Sequence, residues 1–162
     1  MSDALEDAAS LLDLMSEYPL LEKVRREQLR RAREALGAEH PSYGTSLNNM
    51  GLLLKTMGRL EEAAPQFRES LEIYRKALGA EHPCVGASLE RLGSLLQAMG
   101  RLQEAEPLLR EDLKIRRKAL GAEHPHVGAS LNNLGALLQK MGRLQDAESL
   151  YRENHSFSPP SG

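Results

Sequence analysis

The chain has 162 residues, of which 41% are hydrophobic and 27% charged, and its formal net charge is −2 at pH 7. This near-neutral balance gives no bulk attraction to nucleic acid or to an anionic membrane, and no apolar run approaches the length of a membrane span. The acidic N-terminus does not resemble a signal peptide, and the single cysteine, Cys84, excludes an internal disulfide framework. We therefore predict a cytoplasmic protein.

One heptapeptide, Ala-Leu-Gly-Ala-Glu-His-Pro, occurs at 35–41, at 77–83 and at 119–125. The copies are 42 residues apart, and a constant period of this length is typical of a solenoid built from one repeated supersecondary unit. Two amphipathic helical patterns fit inside each period, and no long run alternates with the period of a strand. The sequence therefore predicts an all-α repeat protein.

Residues 1–36 form a degenerate first repeat when the 42-residue period is extended backwards. Residues 5–15 then align with a first helix and residues 19–36 with a second, which predicts a helix pair. Terminal repeats are often atypical because one of their faces is exposed. A run of arginines after residue 24 is interrupted by glutamates, so we interpret it as a solvated outer face and not as a nucleic-acid site.

The first complete repeat, at about residues 43–78, shows both helices of the unit. Leu47 and Leu54 belong to an apolar stripe with helical spacing, which follows a proline suited to the first turn of a helix. The second helix is predicted at 60–78, where flanking glycines can end a helix. The same pattern returns at about residues 85–120.

The last repeat is truncated at 127–153, so residues 1–153 are predicted to form one solenoid domain. The stretch 154–162 is polar and rich in proline, which cannot continue a helix, and we predict a flexible C-terminal tail. Without a further helix the last pair would leave a partly apolar end face. The chain would then be a fragment of a longer array, or a homo-oligomer that stacks end to end.

The repeat resembles the tetratricopeptide repeat, because Gly51 and Ala63 match its small positions and Phe67 matches a large one. The longer period, with Leu-Gly-Ala-Glu-His-Pro between helix pairs and Ser-Leu-Asn-Asn in the first helix, is similar to the kinesin light chain type. The resemblance implies a right-handed α-solenoid of antiparallel helix pairs. It also implies a non-catalytic adaptor or scaffold that binds a peptide or helix in a concave groove lined by the first helices.

The polar residues of the first helices are the binding positions that this resemblance implies. An asparagine amide both donates and accepts hydrogen bonds, so it can hold a ligand's backbone whatever the ligand's sequence. Glu90 and Arg91 replace the asparagine doublet in the second complete repeat, so we expect recognition of mixed charge. The predicted peptide-binding residues are Asn48, Asn49, Leu52, Lys55, Arg91, Ser94, Asn132, Asn133 and Lys140.

Three histidines and one cysteine are the alternatives for chemistry. His40, His82 and His124 lie on different repeats, and we interpret them as residues that shape the loop entering each first helix. Cys84 stands at a position that varies between repeats, and the sequence contains no nucleotide-binding, hydrolase or metalloprotease motif. We therefore predict no catalytic residue, no metal site and no cofactor, and a protein or peptide partner in place of a nucleic acid or a membrane.

Overall fold

The computed structural model describes the backbone of residues 2–156 and the side chains of residues 17–156. Within that part of the chain there are seven helices and no strand, which confirms the all-α solenoid. Each helix packs on the next along the chain, so the core runs the length of the array. The helices are α1 (Ser2–Leu36), α2 (Pro41–Thr56), α3 (Leu60–Leu78), α4 (Pro83–Ala98), α5 (Leu102–Leu120), α6 (Pro125–Lys140) and α7 (Leu144–Ser156).

A histidine caps the N-terminus of each first helix, α2, α4 and α6. Nδ1 of His40 accepts a hydrogen bond from the backbone N–H of Ser42 at 3.1 Å, and His82 and His124 make the same contact two residues on. Proline follows each histidine at the first helical position, where its missing N–H removes no helical hydrogen bond. The structure thus confirms that these histidines shape the helix entrance.

A glycine in the left-handed region joins the first helix of each complete pair to the second. The φ angle is +75° at Gly58, +75° at Gly100 and +77° at Gly142. After Gly58 the backbone N–H of Arg59 donates to the carbonyl of Leu54 at 2.9 Å, which closes the end of α2. A residue with a Cβ would pay about 1–2 kcal/mol for this conformation, so the glycine sets where the hairpin turns.

Small residues bring the two helices of a pair close together. A Cβ added to Gly51 would lie 2.8 Å from Cε1 of the buried Phe67, and one added to Gly93 would lie 2.7 Å from Cδ2 of Leu109. A Cβ atom essentially never lies this close to another carbon, so a larger residue at either position would force the facing side chain to move. The core that results is mostly leucine and alanine.

Ion pairs on the surface link neighbouring repeats, and the partners of the two pairs described next lie 36 and 37 residues apart in the sequence. Arg75 on α3 pairs with Glu111 on α5 at 2.8 Å, and Arg59 pairs with Glu22 on α1 at 2.7 Å. Hydrogen bonds from Arg26 and from Arg59 hold the pKa of Glu22 below its usual value, although partial burial opposes the shift. Exposed pairs of this kind contribute less than about 1 kcal/mol each, so they fix the register of the repeats more than they stabilise it.

The first repeat differs from the predicted helix pair, because α1 is one continuous helix of 35 residues with Pro19 inside it. The turn of the other repeats contains a left-handed glycine, whereas residues 15–18 read Met-Ser-Glu-Tyr. No residue there adopts a positive φ readily, so the backbone continues as a helix. Side chains of residues 2–16, including those aligned with a first helix, lie outside the described part of the chain.

The predicted C-terminal tail begins too early. Residues 154–156 form the last turn of α7, and Nδ2 of Asn154 donates to Oδ1 of Asn132 on α6 at 2.9 Å. A hydrogen bond back to the paired helix outweighs the modest helix propensity of asparagine. The remainder of the predicted tail, residues 157–162, lies outside the described residues, so its flexibility stays a prediction.

Candidate functional site

The solvent side of α2, α4 and α6 forms one surface, which we call the first-helix face. Spacings of four, three and four residues place its members in one stripe along each helix. The 42-residue period then sets the three stripes in equivalent positions, with α4 in contact with both neighbours. The exposed or half-buried residues of this face are Thr45, Asn49, Leu52 and Thr56 on α2, Ala87, Arg91, Ser94 and Ala98 on α4, and Ala129, Asn133, Ala136 and Lys140 on α6.

Six of the nine predicted binding residues lie on the first-helix face. They are Asn49, Leu52, Arg91, Ser94, Asn133 and Lys140. Leu52 is 47% exposed although it is a large apolar side chain in the middle of a helix. Lys55, the seventh, is half-buried next to the stripe. The structure therefore brings most of the predicted residues together on one accessible surface.

The prediction is wrong for Asn48, the first member of an asparagine doublet. Its side chain is only 4% exposed, and its Nδ2 donates to Oγ of the fully buried Ser88 at 3.3 Å, across the contact between α2 and α4. Asn132 is exposed, but its Oδ1 accepts the hydrogen bond from α7. Adjacent helical residues point about 100° apart, so the two members of a doublet cannot share one face.

A buried polar cluster behind the first-helix face joins α4, α5 and α6. Arg116 places Nε 2.6 Å from Oδ1 of Asp112, and its Nη2 donates to Oε2 of Glu90. Oγ of Ser130 donates to Oδ2 of Asp112 at 2.6 Å, and Nδ2 of Asn133 donates to Oε1 of Glu90 at 3.2 Å. One guanidinium thus holds carboxylates from two helices against a third.

Charge in this cluster is unbalanced, because two carboxylates share one guanidinium. Asp112 is fully buried, and burial raises its pKa, while the hydroxyl of Ser130 and the charge of Arg116 oppose the rise. The folded state therefore binds this proton more tightly than the unfolded chain does. The contribution of Asp112 to folding is most favourable below its unfolded pKa and is lost as pH rises through its folded pKa.

The preceding repeat solves the same packing problem with neutral groups. Ser70 and Tyr74 stand 42 residues before Asp112 and Arg116. Oγ of Ser70 donates to the carbonyl of Gly44 at 2.7 Å, and the hydroxyls of Tyr74 and Thr45 are 2.7 Å apart. Of these two repeats, only the second complete one therefore carries the charged set, at its junction with the last repeat.

This cluster changes the interpretation of Glu90 and Arg91 on α4. Glu90 is engaged by Arg116 and Asn133, so its charge is compensated within the protein. Arg91 is exposed and makes no ion pair with any residue whose side chain the structure describes. Among the side chains that the structure describes, the middle of the first-helix face therefore presents one guanidinium without a carboxylate partner. Comparison of the second helices across the 42-residue period could have singled out two of these positions, since an Asp and an Arg four residues apart replace Ser and Tyr.

A cleft of about 340 Å³ lies between the starts of α4 and α6. Its lining includes Cys84, His124 and His126, and the two imidazole ring centres are 5.1 Å apart. In residues 17–156 no group of three or more histidine, cysteine or acidic side chains could hold a metal ion. The cleft brings the reactive residue types of the sequence together without a nucleophile–base contact.

None of the helices in the described part of the chain has the length and apolar character that a membrane span requires.

Comparisons with known proteins give the same class as the fold. The sequence matches the tetratricopeptide repeat family over residues 1–76, 43–112 and 84–153. The chain therefore belongs to the tetratricopeptide repeat family, whose repeats generally mediate protein–protein interaction. No curated protein sequence matches it significantly.

Similar solved structures indicate which type of tetratricopeptide repeat this chain contains. Nearly identical tetratricopeptide-like repeats of a Podosopora anserina protein described as a kinesin light chain are 28% identical, with a TM-score of 0.75 over 88% of this chain and 67% of that one. BtubC (BKLC) from P. vanneervenii is 22% identical, with a TM-score of 0.81 over 95% of this chain and 64% of that one. The repeat domain of Arabidopsis FLU is 18% identical, with a TM-score of 0.61 over 70% and 92%. The repeats are of the kinesin light chain type.

Proposed function

We propose that this protein is a non-catalytic adaptor that binds a peptide or a helix of a partner protein on its first-helix face. The observation that carries the proposal is the continuous stripe of exposed and half-buried side chains across α2, α4 and α6. This face combines the guanidinium of Arg91 on α4, which has no ion-pair partner among the described side chains, with the exposed apolar side chain of Leu52 and the amide of Asn49 on α2. The chain belongs to the tetratricopeptide repeat family, whose repeats generally mediate protein–protein interaction.

The composition of the face indicates the chemistry of the ligand. The alanines at 87, 98, 129 and 136 have small, uncharged side chains, so a ligand chain can approach the backbone of α4 and α6 closely. Arg91 suits one carboxylate of the ligand, and Leu52 suits an apolar side chain beside it. Because Glu90 is already paired, it does not repel that carboxylate. We therefore favour a mostly neutral segment with one acidic anchor.

Asn49→Ala and Arg91→Ala are each expected to weaken peptide binding about tenfold, or roughly 1.4 kcal/mol, with little change in thermal stability. Both side chains reach solvent and neither makes a hydrogen bond to another described residue, so the folded state loses little. Peptides selected on the wild-type protein from a displayed random library provide the probe. Calorimetric titration of one such peptide into wild type and variants measures the loss.

Lys114→Ala on α5 is the matched control, since Lys114 is exposed on a second helix. It should bind the selected peptide as wild type does. Asn133→Ala is less informative, because Asn133 also donates to the half-buried Glu90 and its loss would disturb the cluster. Equal affinity of wild type, Asn49→Ala and Arg91→Ala would remove the first-helix face from the binding site.

A second candidate function is self-assembly through the C-terminal end of the array. Leu60 and Leu102 begin α3 and α5 and pack against the core, whereas the equivalent Leu144 of α7 is 62% exposed. Burying it against a second copy would remove apolar surface from water. Leu144→Glu should then lower the average mass that sedimentation equilibrium measures, because association through α7 is lost. A wild-type protein that associates equally well with Glu at 144 would contradict this candidate.

A further inference from the structure

The second half of α1 has a helix face that nothing covers in the described part of the chain. Leu21 is 39% exposed and Val24 is 45% exposed. Ala63, Ala105 and Ala147 occupy the positions equivalent to Leu21 and are at most 2% exposed, because the first helix of their own pair covers them. Residues 19–36 of α1 thus correspond to the second helix of a repeat, and in the described part of the chain no first helix covers Leu21.

The register that a covering helix must have follows from the complete pairs. Gly51 faces Phe67, Gly93 faces Leu109, and Gly135 faces Tyr151. Each contact is centred on the arginine of the turn, at position 59, 101 or 143. The position 42 residues before Arg59 is 17, so the equivalent contact of α1 would be centred there. A helix that covers residues 19–36 in the same way must run antiparallel to them and must have a sequence like that of residues 2–16.

The sequence of residues 2–16 fits the place of a first helix. Four of its apolar or small residues fall on apolar or small residues of α2 and its end when the sequence is shifted by 42. The corresponding residues are Leu5 with Leu47, Ala9 with Gly51, Leu12 with Leu54, and Met15 with Met57. Yet α1 runs straight through position 17, so this segment extends away from the uncovered face of its own chain. The same segment of a second copy can reach that face.

Charge favours the same arrangement. Residues 2–16 contain four carboxylates and no lysine or arginine, whereas residues 19–36 contain six basic and three acidic side chains. Antiparallel pairing of two α1 helices sets each acidic half against the basic half of the other copy, and parallel pairing would set like charges together. The register also sets like charges at the same level, Glu17 opposite its own copy at the centre and Asp7 opposite Glu27.

We propose that two copies of this protein dimerise through antiparallel pairing of α1, with residues 2–16 of each copy acting as the missing first helix of the other. This is an exchange of identical elements between protomers, in which the continuous α1 takes the place of a hairpin. The proposal does not depend on ligand binding to the first-helix face. It uses the end of the array opposite to α7.

Sedimentation equilibrium of the full chain across a wide concentration range tests the oligomeric state. Wild type should sediment as a dimer. Leu21→Glu combined with Val24→Glu should raise the dissociation constant of the dimer at least tenfold and so shift the protein towards the monomer. Leu144→Glu, at the other end, should remain dimeric. Circular dichroism melts establish that the variants are folded. A monomeric wild type, or a dimer lost only in Leu144→Glu, would overturn the proposal.

Cross-linking tests the register without disturbing the apolar contacts. In a Cys84→Ser background, Glu17→Cys places one thiol of each copy beside the two-fold axis, across a helix separation of about 8–10 Å. A short bismaleimide should then give a covalent dimer in high yield. Glu34→Cys, far from the axis in this register, should give none. Equal cross-linking at both positions, or none at position 17, would rule out the antiparallel pairing, including the case in which residues 2–16 fold back on their own chain.

Discussion

Replacement of Arg116 with leucine is expected to lower the free energy of unfolding by about 3–5 kcal/mol at neutral pH. Arg116 is 8% exposed and, among residues 17–156, is the one cation in contact with Asp112 and Glu90. Leucine would fill similar space, but it would leave the carboxylate of Asp112 buried without a counter-charge. Urea unfolding followed by circular dichroism measures the loss.

The deficit of Arg116→Leu should depend on pH in a defined direction. Burial already raises the pKa of Asp112, and removal of the guanidinium removes one of the groups that oppose this rise. The folded state can then relieve the buried charge by taking up a proton as the pH falls through the folded pKa. The difference between wild type and variant should be smaller at about pH 5 than at about pH 7. A deficit that grows with acidity would show that Asp112 is not its cause.

The neutral set of the preceding repeat supplies the matched control. Glu90→Asn, Asp112→Ser and Arg116→Tyr together install the residues that stand 42 positions earlier. Neutral hydrogen-bonded groups carry a smaller desolvation cost than an unpaired buried charge. The triple variant should therefore be more stable than Arg116→Leu alone. A triple variant as unstable as the single one would mean that the cavity left by arginine, and not the unpaired charge, dominates.

Phe67→Ala is expected to lower the free energy of unfolding by about 3–5 kcal/mol. Phe67 is fully buried, and its ring packs directly on the backbone at Gly51, so alanine would leave a cavity between α2 and α3. The loss is a large part of the total stability of a domain of this size. Thermal and urea unfolding, analysed together, measure it.

Phe67→Leu is the control, because the next repeat places Leu109 against Gly93 in the same contact. This change should cost less than about 1.5 kcal/mol. Equal losses for alanine and leucine would show that the aromatic ring itself is required. No loss for alanine would contradict the close packing of the two helices.

Periodicity predicted the helices of the complete repeats well, since α3 begins and ends at the predicted residues 60 and 78. Local rules are sufficient there, because each turn carries its own glycine and each first helix its own proline. The same rules explain why the predicted pair at residues 1–36 is a single helix. An apolar pattern aligned there as expected, but the glycine that turns the chain is missing from residues 15–18.

The candidate site was less predictable, because it depends on which way neighbouring side chains turn. Asn48 and Asn49 are adjacent in sequence, yet Asn48 is buried against Ser88 and Asn49 reaches solvent. Likewise the partner of Glu90 is Arg116, which lies on the following helix. A contact between residues 26 positions apart cannot be assigned from the pattern of either helix alone. The repeat alignment shows only that these positions vary.

Photo-cross-linking of a library-selected peptide tests most directly whether the first-helix face is the binding surface. A photoreactive amino acid at Leu52 would stand on that face, and one at Lys114 would stand on α5, away from it. We expect a covalent peptide adduct from position 52 that excess unlabelled peptide suppresses, and no adduct from position 114. An adduct from position 114 alone would contradict it.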